Sequence, residues 1–116
     1  AEVFATYLYR RRCISRRDWG LYKELYDTIL TSLKPPDLLI YLRASVRTIR
    51  KRIKQRGRPE EQAIPASYPR KLNELYEGWF EAYLRSPTIV LNTDSLNYIE
   101  DLEHLIDVRK AIEQYL

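Results

Sequence analysis

The chain has 116 residues, 45% of them apolar, and a formal net charge of +4. This length supports one small domain with a modest core, and the apolar content excludes a disordered tail. The positive charge is local, because residues 43–58 hold eight Lys or Arg and no acidic residue. Such a concentration favours a local anionic ligand over a coat for nucleic acid.

Cysteine usage and hydropathy predict a reducing, aqueous compartment. The single cysteine, Cys13, excludes an internal disulfide, which is typical of the cytoplasm. No apolar run approaches the ~20 residues that span a bilayer, and no leader of the signal type is seen. We therefore expect a cytoplasmic protein without a membrane partner. The chain starts without Met inside a helical pattern, so we expect further residues before Ala1.

Two helices are predicted first. Residues 2–11 carry apolar side chains on one face, which is typical of the tail of a helix. Ser15, with Asp18 three residues later, is a helix start signal. Apolar residues then recur at helical spacing and predict a helix of about residues 16–33, which two prolines end.

A strand and a basic helix are predicted next. Residues 37–42 form an apolar run without alternation, which predicts a strand buried on both faces in a parallel sheet. Val46, Ile49 and Ile53 then give a helix one narrow apolar stripe, and its other faces are basic. Gly57 stops this helix.

The remaining elements follow the same alternation. Ser67 is predicted to cap a helix that has Pro69 in its first turn, where a missing N–H costs little. The last three elements are a strand at 88–91, a turn at 92–95 and a helix that begins at Asn97 or Tyr98 and ends at Tyr115.

The order α-α-β-α-loop-α-β-α predicts an α/β fold that is mostly helical, with a two-stranded parallel sheet wrapped by helices. We expect residues 1–116 to form a single domain. Because two strands make a poor sheet on their own, further strands are expected from residues outside the chain or from a partner.

Clustered arginines are the main chemical signal. Arg52 and Arg56 are four residues apart and point to one side of the predicted helix, and Arg58 follows a glycine. Three guanidiniums there are able to converge on one phosphate group, with the forked contacts that phosphoryl transfer uses. Glu61, at the far edge of the loop, suits a sugar hydroxyl. The alternative is a solvated basic helix balanced by Glu60 and Glu61. The chain contains no GxxxxGK(S/T) loop.

Three motifs carry a resemblance to a known family. They are RxxxRGRxEE at residues 52–61, IPxxY at residues 64–68 and LxxLYExW at residues 72–79. With them the chain resembles the deoxynucleoside kinase family over nearly its whole length, above all the bacterial deoxyguanosine and deoxyadenosine kinases. The resemblance implies the C-terminal part of a P-loop-kinase-like fold and the ATP-dependent 5′-phosphorylation of a deoxynucleoside, with a purine base.

The resemblance also implies roles for individual residues. Residues 52–63 correspond to the lid over the nucleotide phosphates. Within it, Arg52 lies near the phosphate donor, Arg56 and Arg58 contact the transferred phosphate, and Glu61 binds the sugar 3′-hydroxyl. Phe4 matches the aromatic residue that stacks on the nucleoside base, for which core packing is the alternative. The donor adenine is cradled by a turn that consists of Asn92, Thr93, Asp94, Ser95 and Leu96.

Cofactors and partners follow from the same resemblance. It implies ATP and Mg²⁺, with the metal ligands outside this chain, and a homodimer formed through the N-terminal helices. The family's phosphate loop, carboxylate base and Asp/Glu-Arg-Ser motif are expected before Ala1, so the 116 residues alone are expected to be inactive. The chain departs from the family pattern at Arg16, where an acid is usual, and at Pro69, where leucine is usual.

Two other functions stay open from the sequence. A nucleic-acid-binding domain would use residues 43–58 as a basic helix, and its affinity would fall steeply with salt. The lack of a clear motif and the acidic segment 100–113 weigh against it. The second alternative is a non-catalytic fragment or assembly module. His104 is predicted to be a surface residue, because a metal site needs partners.

Overall fold

The computed structural model describes residues 1–95 and 102–115. Most of these residues are helical, and the others include two strands that pair with each other. In chain order the elements are α1 (Glu2–Arg10), α2 (Arg16–Ser32), β1 (Leu39–Arg43), α3 (Val46–Arg56), α4 (Pro59–Gln62), α5 (Ser67–Glu81), β2 (Thr88–Asn92) and α6 (Leu102–Glu113). The chain divides into two compact units, Ala1–Pro35 with Ile64–Tyr83, and Pro36–Ala63 with Leu84–Leu116.

The first unit is a group of three helices in which α1 packs against α5 and contacts α2. Val3 and Ala5 of α1 are buried. Aromatic rings fasten α1 to α5, because Tyr7 meets Tyr68 edge to face with ring centroids 5.1 Å apart. Edge-to-face pairs contribute beyond the area that they bury, so they add specificity to a small core.

Helix α2 begins as predicted. The Ser15 hydroxyl accepts a hydrogen bond from the backbone N–H of Asp18 at 3.1 Å, which satisfies an N–H that the first helical turn leaves unpaired. However, the residues of the predicted apolar stripe are not all buried. Its aromatic residues stack on one another, whereas Leu25 and Ile29 are 61% and 47% exposed.

The second unit contains the sheet. Strands β1 and β2 are parallel, and the register runs from Leu39 opposite Thr88 to Arg43 opposite Asn92. The predicted parallel pairing is therefore confirmed. Successive residues of β1 alternate between half-buried and exposed, because side chains along a strand point to opposite faces.

Burial on both faces of the sheet is not found in the described part of the unit. Ile40 and Leu42 are 36% and 57% exposed, and Ile89 is the buried apolar residue of the pair of strands. The described residues thus cover one face of β1, and burial of its second face stays a prediction.

Two helix ends differ from the predictions. Helix α5 has Ala66 at its N-cap and no side-chain cap, so the prediction of Ser67 as the cap was wrong by one residue. Pro69 does lie in the first turn, where its missing N–H is not needed by the helix. The predicted start of the last helix at Asn97 or Tyr98 lies outside the described residues. Among the residues that are described, no helix is long and apolar enough to cross a membrane.

Candidate functional site

Local signals define both ends of α3, the helix that carries the arginines. At its start, the Ser45 hydroxyl accepts from the backbone N–H of Thr48 at 3.2 Å. At its end, Gly57 adopts the left-handed conformation with φ of 65° and donates its N–H to the Ile53 carbonyl at 3.3 Å. Glycine tolerates this conformation without a steric penalty. The chain therefore reverses immediately after Arg56.

Beyond this reversal, Arg56, Arg58 and Glu61 form an ion-paired group that we call the lid cluster. Arg56 donates from Nε at 3.1 Å and from a terminal nitrogen at 2.5 Å, both to one carboxylate oxygen of Glu61. A terminal nitrogen of Arg58 lies 3.7 Å from the other oxygen. The Glu61 side chain is 16% exposed, whereas those of Arg56 and Arg58 are 51% and 59% exposed. The cluster thus presents a net positive charge to solvent.

Gln62 fixes the short helix α4 beneath the lid cluster, a role that the sequence did not indicate. Its side-chain amide donates to the Ile53 carbonyl at 3.4 Å and to the Arg58 carbonyl at 3.1 Å. These two bonds join the last turn of α3 to the start of α4. The position of Gln62 directly after two glutamates in a four-residue helix is the one signal that was available for it.

Arg52 lies against the turn after β2. One terminal nitrogen donates to the Thr93 hydroxyl at 3.0 Å, and the other donates to the Thr93 carbonyl. The structure therefore brings Arg56 and Arg58 together on Glu61, and it brings Arg52 together with the predicted donor-base turn. It does not show the three guanidiniums sharing one carboxylate.

The same turn is also fastened to the start of α3. The Asp94 carboxylate accepts from the backbone N–H of Ser45 at 2.8 Å, and the Asn92 side chain accepts from the backbone N–H of Asp94 at 3.0 Å. The Ser45 N–H bond, aided by the Thr48 and Ser45 hydroxyls and the charge of Arg52, lowers the pKa of Asp94 because each favours the charged carboxylate. Ser95 is exposed, and Leu96 lies outside the described residues.

Phe4 belongs to the first unit. Its ring is 43% exposed, although the neighbouring Val3 and Ala5 are buried, and it meets the ring of Tyr76 edge to face at 6.1 Å. Phe4 is therefore partly open to solvent within the described residues.

Metal ligation has no candidate group in the described residues. No three His, Cys, Asp or Glu side chains there are placed to hold an ion. His104 is partly exposed, and Cys13 is exposed.

The fold and the arginines together define the class of protein. The chain has a mostly helical α/β, P-loop-kinase-like fold, with a basic helix directly after one parallel strand and a hydrogen-bonded turn after the other. The sequence model of the family described as deoxynucleoside kinase matches residues 1–116. The chain belongs to the deoxynucleoside kinase family.

Individual relatives agree with this assignment. The chain is 34% identical over 108 residues to the deoxyadenosine kinase of Lactobacillus acidophilus, covering 85% of this chain and 50% of that protein. It is 34% identical over 100 residues to the deoxycytidine kinase of Homo sapiens, covering 84% and 37%. The chain thus spans about half the length of such relatives, or less.

Solved structures give the same result. The structure of deoxyadenosine kinase from M. mycoides with bound dCTP superposes with a TM-score of 0.76 and 28% identity, covering 94% of this chain and 58% of that one. A structure of the same kinase with dCMP as product and a flexible dCDP bound gives a TM-score of 0.74 and 29% identity, covering 95% and 57%.

Proposed function

We propose that the protein transfers the γ-phosphoryl group of ATP to the 5′-hydroxyl of a deoxynucleoside with a purine base, as a cytoplasmic enzyme of nucleotide salvage. In this proposal the chain supplies the lid at about residues 52–63, the sugar-binding carboxylate and the donor-base turn. The lid cluster is the observation that carries it. Two solvent-facing guanidiniums are held 2.5 and 3.7 Å from one shielded carboxylate.

The chemistry of these residues fits phosphoryl transfer. Negative charge spreads over the equatorial oxygens of the transferred group, so catalysis depends on positioned cationic donors. Arg56 and Arg58 would be catalytic residues that donate to these oxygens, and Glu61 would hold them near the loop until substrate arrives. Mg²⁺, whose ligands we place outside this chain, would neutralise further phosphate charge.

The remaining site residues take substrate-binding roles in the proposal. Glu61 would accept a hydrogen bond from the sugar 3′-hydroxyl, and the partly open ring of Phe4 would stack on the nucleoside base. Arg52 would lie near the donor, whose adenine the turn at 92–96 would cradle. The Asp94 bond to Ser45 supports this last role, because it gives the described part of the turn a fixed shape.

The purine preference and the homodimer are further parts of the proposal. Similar relatives include the deoxyadenosine and deoxyguanosine kinases of Lactobacillus acidophilus. A dimer through the N-terminal helices is supported by exposed apolar residues on α2, among them Leu21 and Leu25 at 56% and 61%. These two residues are four apart, so they lie on one side of α2, where a second copy of the chain would cover them.

Arginine substitution in a full-length form of the enzyme tests the central role of the lid cluster. Arg58→Ala should lower kcat with ATP and a deoxynucleoside by about a hundredfold or more, because a positioned donor to transition-state charge is lost. The KM for the deoxynucleoside should change little, since this contact is made to the phosphoryl group.

Arg50→Ala is the matched control. Arg50 is exposed and lies on α3 two residues from Arg52, so it does not share a face with Arg52. Its loss removes the same charge from α3, the helix that precedes Arg58, and should change kcat by no more than about twofold, because an exposed charge contributes little. Unchanged turnover in Arg58→Ala would refute the proposed role of the lid.

A further inference from the structure

Thr93 has an unusual environment for a residue at the end of an edge strand. It is 4% exposed, and no other polar or charged residue in the described part of the chain is buried. It directly follows β2, and its backbone N–H donates to the Arg43 carbonyl at 2.7 Å. This contact extends the pairing with β1 by one residue, so the backbone of Thr93 is fixed by the sheet.

The Thr93 hydroxyl makes two hydrogen bonds within the protein. It donates to the Arg43 carbonyl at 3.1 Å and accepts from a terminal nitrogen of Arg52 at 3.0 Å. Since the hydroxyl has one proton, donation to Arg43 leaves only its lone pairs for Arg52. The hydroxyl is therefore oriented as an acceptor toward the guanidinium, and its proton is not available to a ligand.

Arg52 is held at two points by this one residue. Its second terminal nitrogen donates to the Thr93 carbonyl, so two oxygens of Thr93 receive the two arms of the guanidinium. A forked contact fixes the plane of the group as well as its position. It also removes rotamer freedom that a long side chain would otherwise lose when a ligand binds.

We propose that Thr93 is a positioning residue, which holds the Arg52 guanidinium in the orientation that receives the phosphate donor. The proposal deepens the proposed function and rests on it. It separates Thr93 from the other residues of the turn at 92–96. Their role is contact with the donor base, whereas Thr93 acts through an arginine 41 residues earlier in the chain.

Two substitutions isolate the hydroxyl in a full-length form of the enzyme. Thr93→Val keeps the β-branched shape and removes the hydroxyl, and Thr93→Ser keeps the hydroxyl. Thr88→Val makes the same chemical change at the other end of β2 and serves as the matched control. The first readout is the affinity for AMP-PNP, an ATP analogue that is not turned over, together with kcat/KM for ATP.

We expect Thr93→Val to weaken AMP-PNP binding and to lower kcat/KM for ATP about tenfold, because it removes a hydrogen bond to a charged group. The KM for the deoxynucleoside should not change. Thr93→Ser and Thr88→Val should stay within about twofold of wild type in both measurements, because each variant still has a hydroxyl at position 93.

A double-mutant cycle distinguishes positioning from a general structural effect. If Thr93 acts through Arg52, Arg52→Ala combined with Thr93→Val should bind AMP-PNP no more weakly than Arg52→Ala alone. Independent effects would instead multiply. Multiplied losses, or a Thr93→Val variant that matches wild type, would overturn the proposal.

A ligand-free measurement keeps this proposal separable from the kinase assignment. The protein is labelled with ¹⁵N-arginine, and the NMR signals of Arg52 are identified by their loss in Arg52→Ala. In wild type and in Thr93→Ser, the two terminal nitrogens of Arg52 should give separate signals. In Thr93→Val they should give one averaged signal. Identical signals in all three proteins would overturn the positioning role.

Failure of the proposed function would be recognised separately. A wild-type enzyme that binds AMP-PNP but phosphorylates none of the four deoxynucleosides would overturn the proposed function. Separate Arg52 signals would still support the positioning role.

Discussion

At the scale of single residues, the ion pairs of the lid cluster are better explained by ligand binding than by stability. Exposed ion pairs contribute about 0–1 kcal/mol to folding, and the Arg56 and Arg58 side chains are more than half exposed. Glu61 is the shielded member of the group. An anion that approaches the cluster therefore meets guanidinium groups before it meets the carboxylate.

Glu61 also has its own proposed role toward the sugar, which a substitution can isolate. Glu61→Gln keeps the shape and removes the charge. We expect kcat/KM for a deoxynucleoside to fall by about ten- to a hundredfold, because a hydrogen bond to a charged group is weakened. A 2′,3′-dideoxynucleoside lacks the 3′-hydroxyl, so its kcat/KM should fall much less. The measurement is the ratio of kcat/KM for the two substrates.

The control for this substitution is the neighbouring carboxylate. Glu60 is exposed on the same short helix, and Glu60→Gln should leave the substrate ratio at its wild-type value. If Glu61→Gln lowered kcat/KM equally for both substrates, its role would be confined to holding Arg56 and Arg58.

At the scale of secondary-structure elements, local signals were readable in the sequence and distant contacts were not. The Ser15 cap and the stop at Gly57 follow from residue chemistry within one helical turn, and both predictions are confirmed. The bonds from Ser45 to Asp94 and from Arg52 to Thr93 join residues 49 and 41 positions apart. Periodicity contains no information on such pairs, because it reports which face of an element is apolar and not which element it meets.

Two glycine-to-alanine substitutions, at Gly57 and at Gly78, should change the free energy of unfolding in opposite directions. Gly57 has a left-handed backbone conformation, so a side chain there is strained even though an added Cβ would meet only the Gln55 carbonyl oxygen, at 4.0 Å. Gly57→Ala should lower the free energy of unfolding by about 1–2 kcal/mol. Gly78 lies within α5 and has nothing within 4 Å of an added Cβ, so Gly78→Ala should raise the free energy of unfolding by about 0.5–1 kcal/mol.

Urea denaturation of the two variants beside wild type measures both effects. Equal shifts of the same sign would contradict the assignment of Gly57 as a left-handed helix end. Because Arg58 and Glu61 follow this reversal, Gly57→Ala should also disturb the lid cluster, whereas Gly78→Ala should not.

At the scale of the whole molecule, the element order and the parallel pairing were predictable, and the extent of burial was not. An apolar run shows that a strand prefers to be covered, but it does not identify what covers it. Val90 is 40% exposed, and Leu42 of β1 is 57% exposed. Likewise, the resemblance implied what Arg52 does, but not that Thr93 holds it, because none of the three motifs at residues 52–79 includes Thr93.

The isolated chain provides the last prediction. Its 116 residues contain no GxxxxGK(S/T) loop, whose backbone N–H groups cradle nucleotide phosphates, so we expect them to have no kinase activity alone. A chimaera that places the N-terminal part of the Lactobacillus acidophilus deoxyadenosine kinase before Ala1 should convert radiolabelled deoxyadenosine to its monophosphate. Far-UV circular dichroism must show that the isolated chain is helical, so that inactivity is not caused by unfolding. The isolated chain, if helical, should therefore not turn over substrate at the rate of the chimaera. If it did, the lid would act without a phosphate loop, which would contradict the proposal that this chain supplies only the lid side of the site.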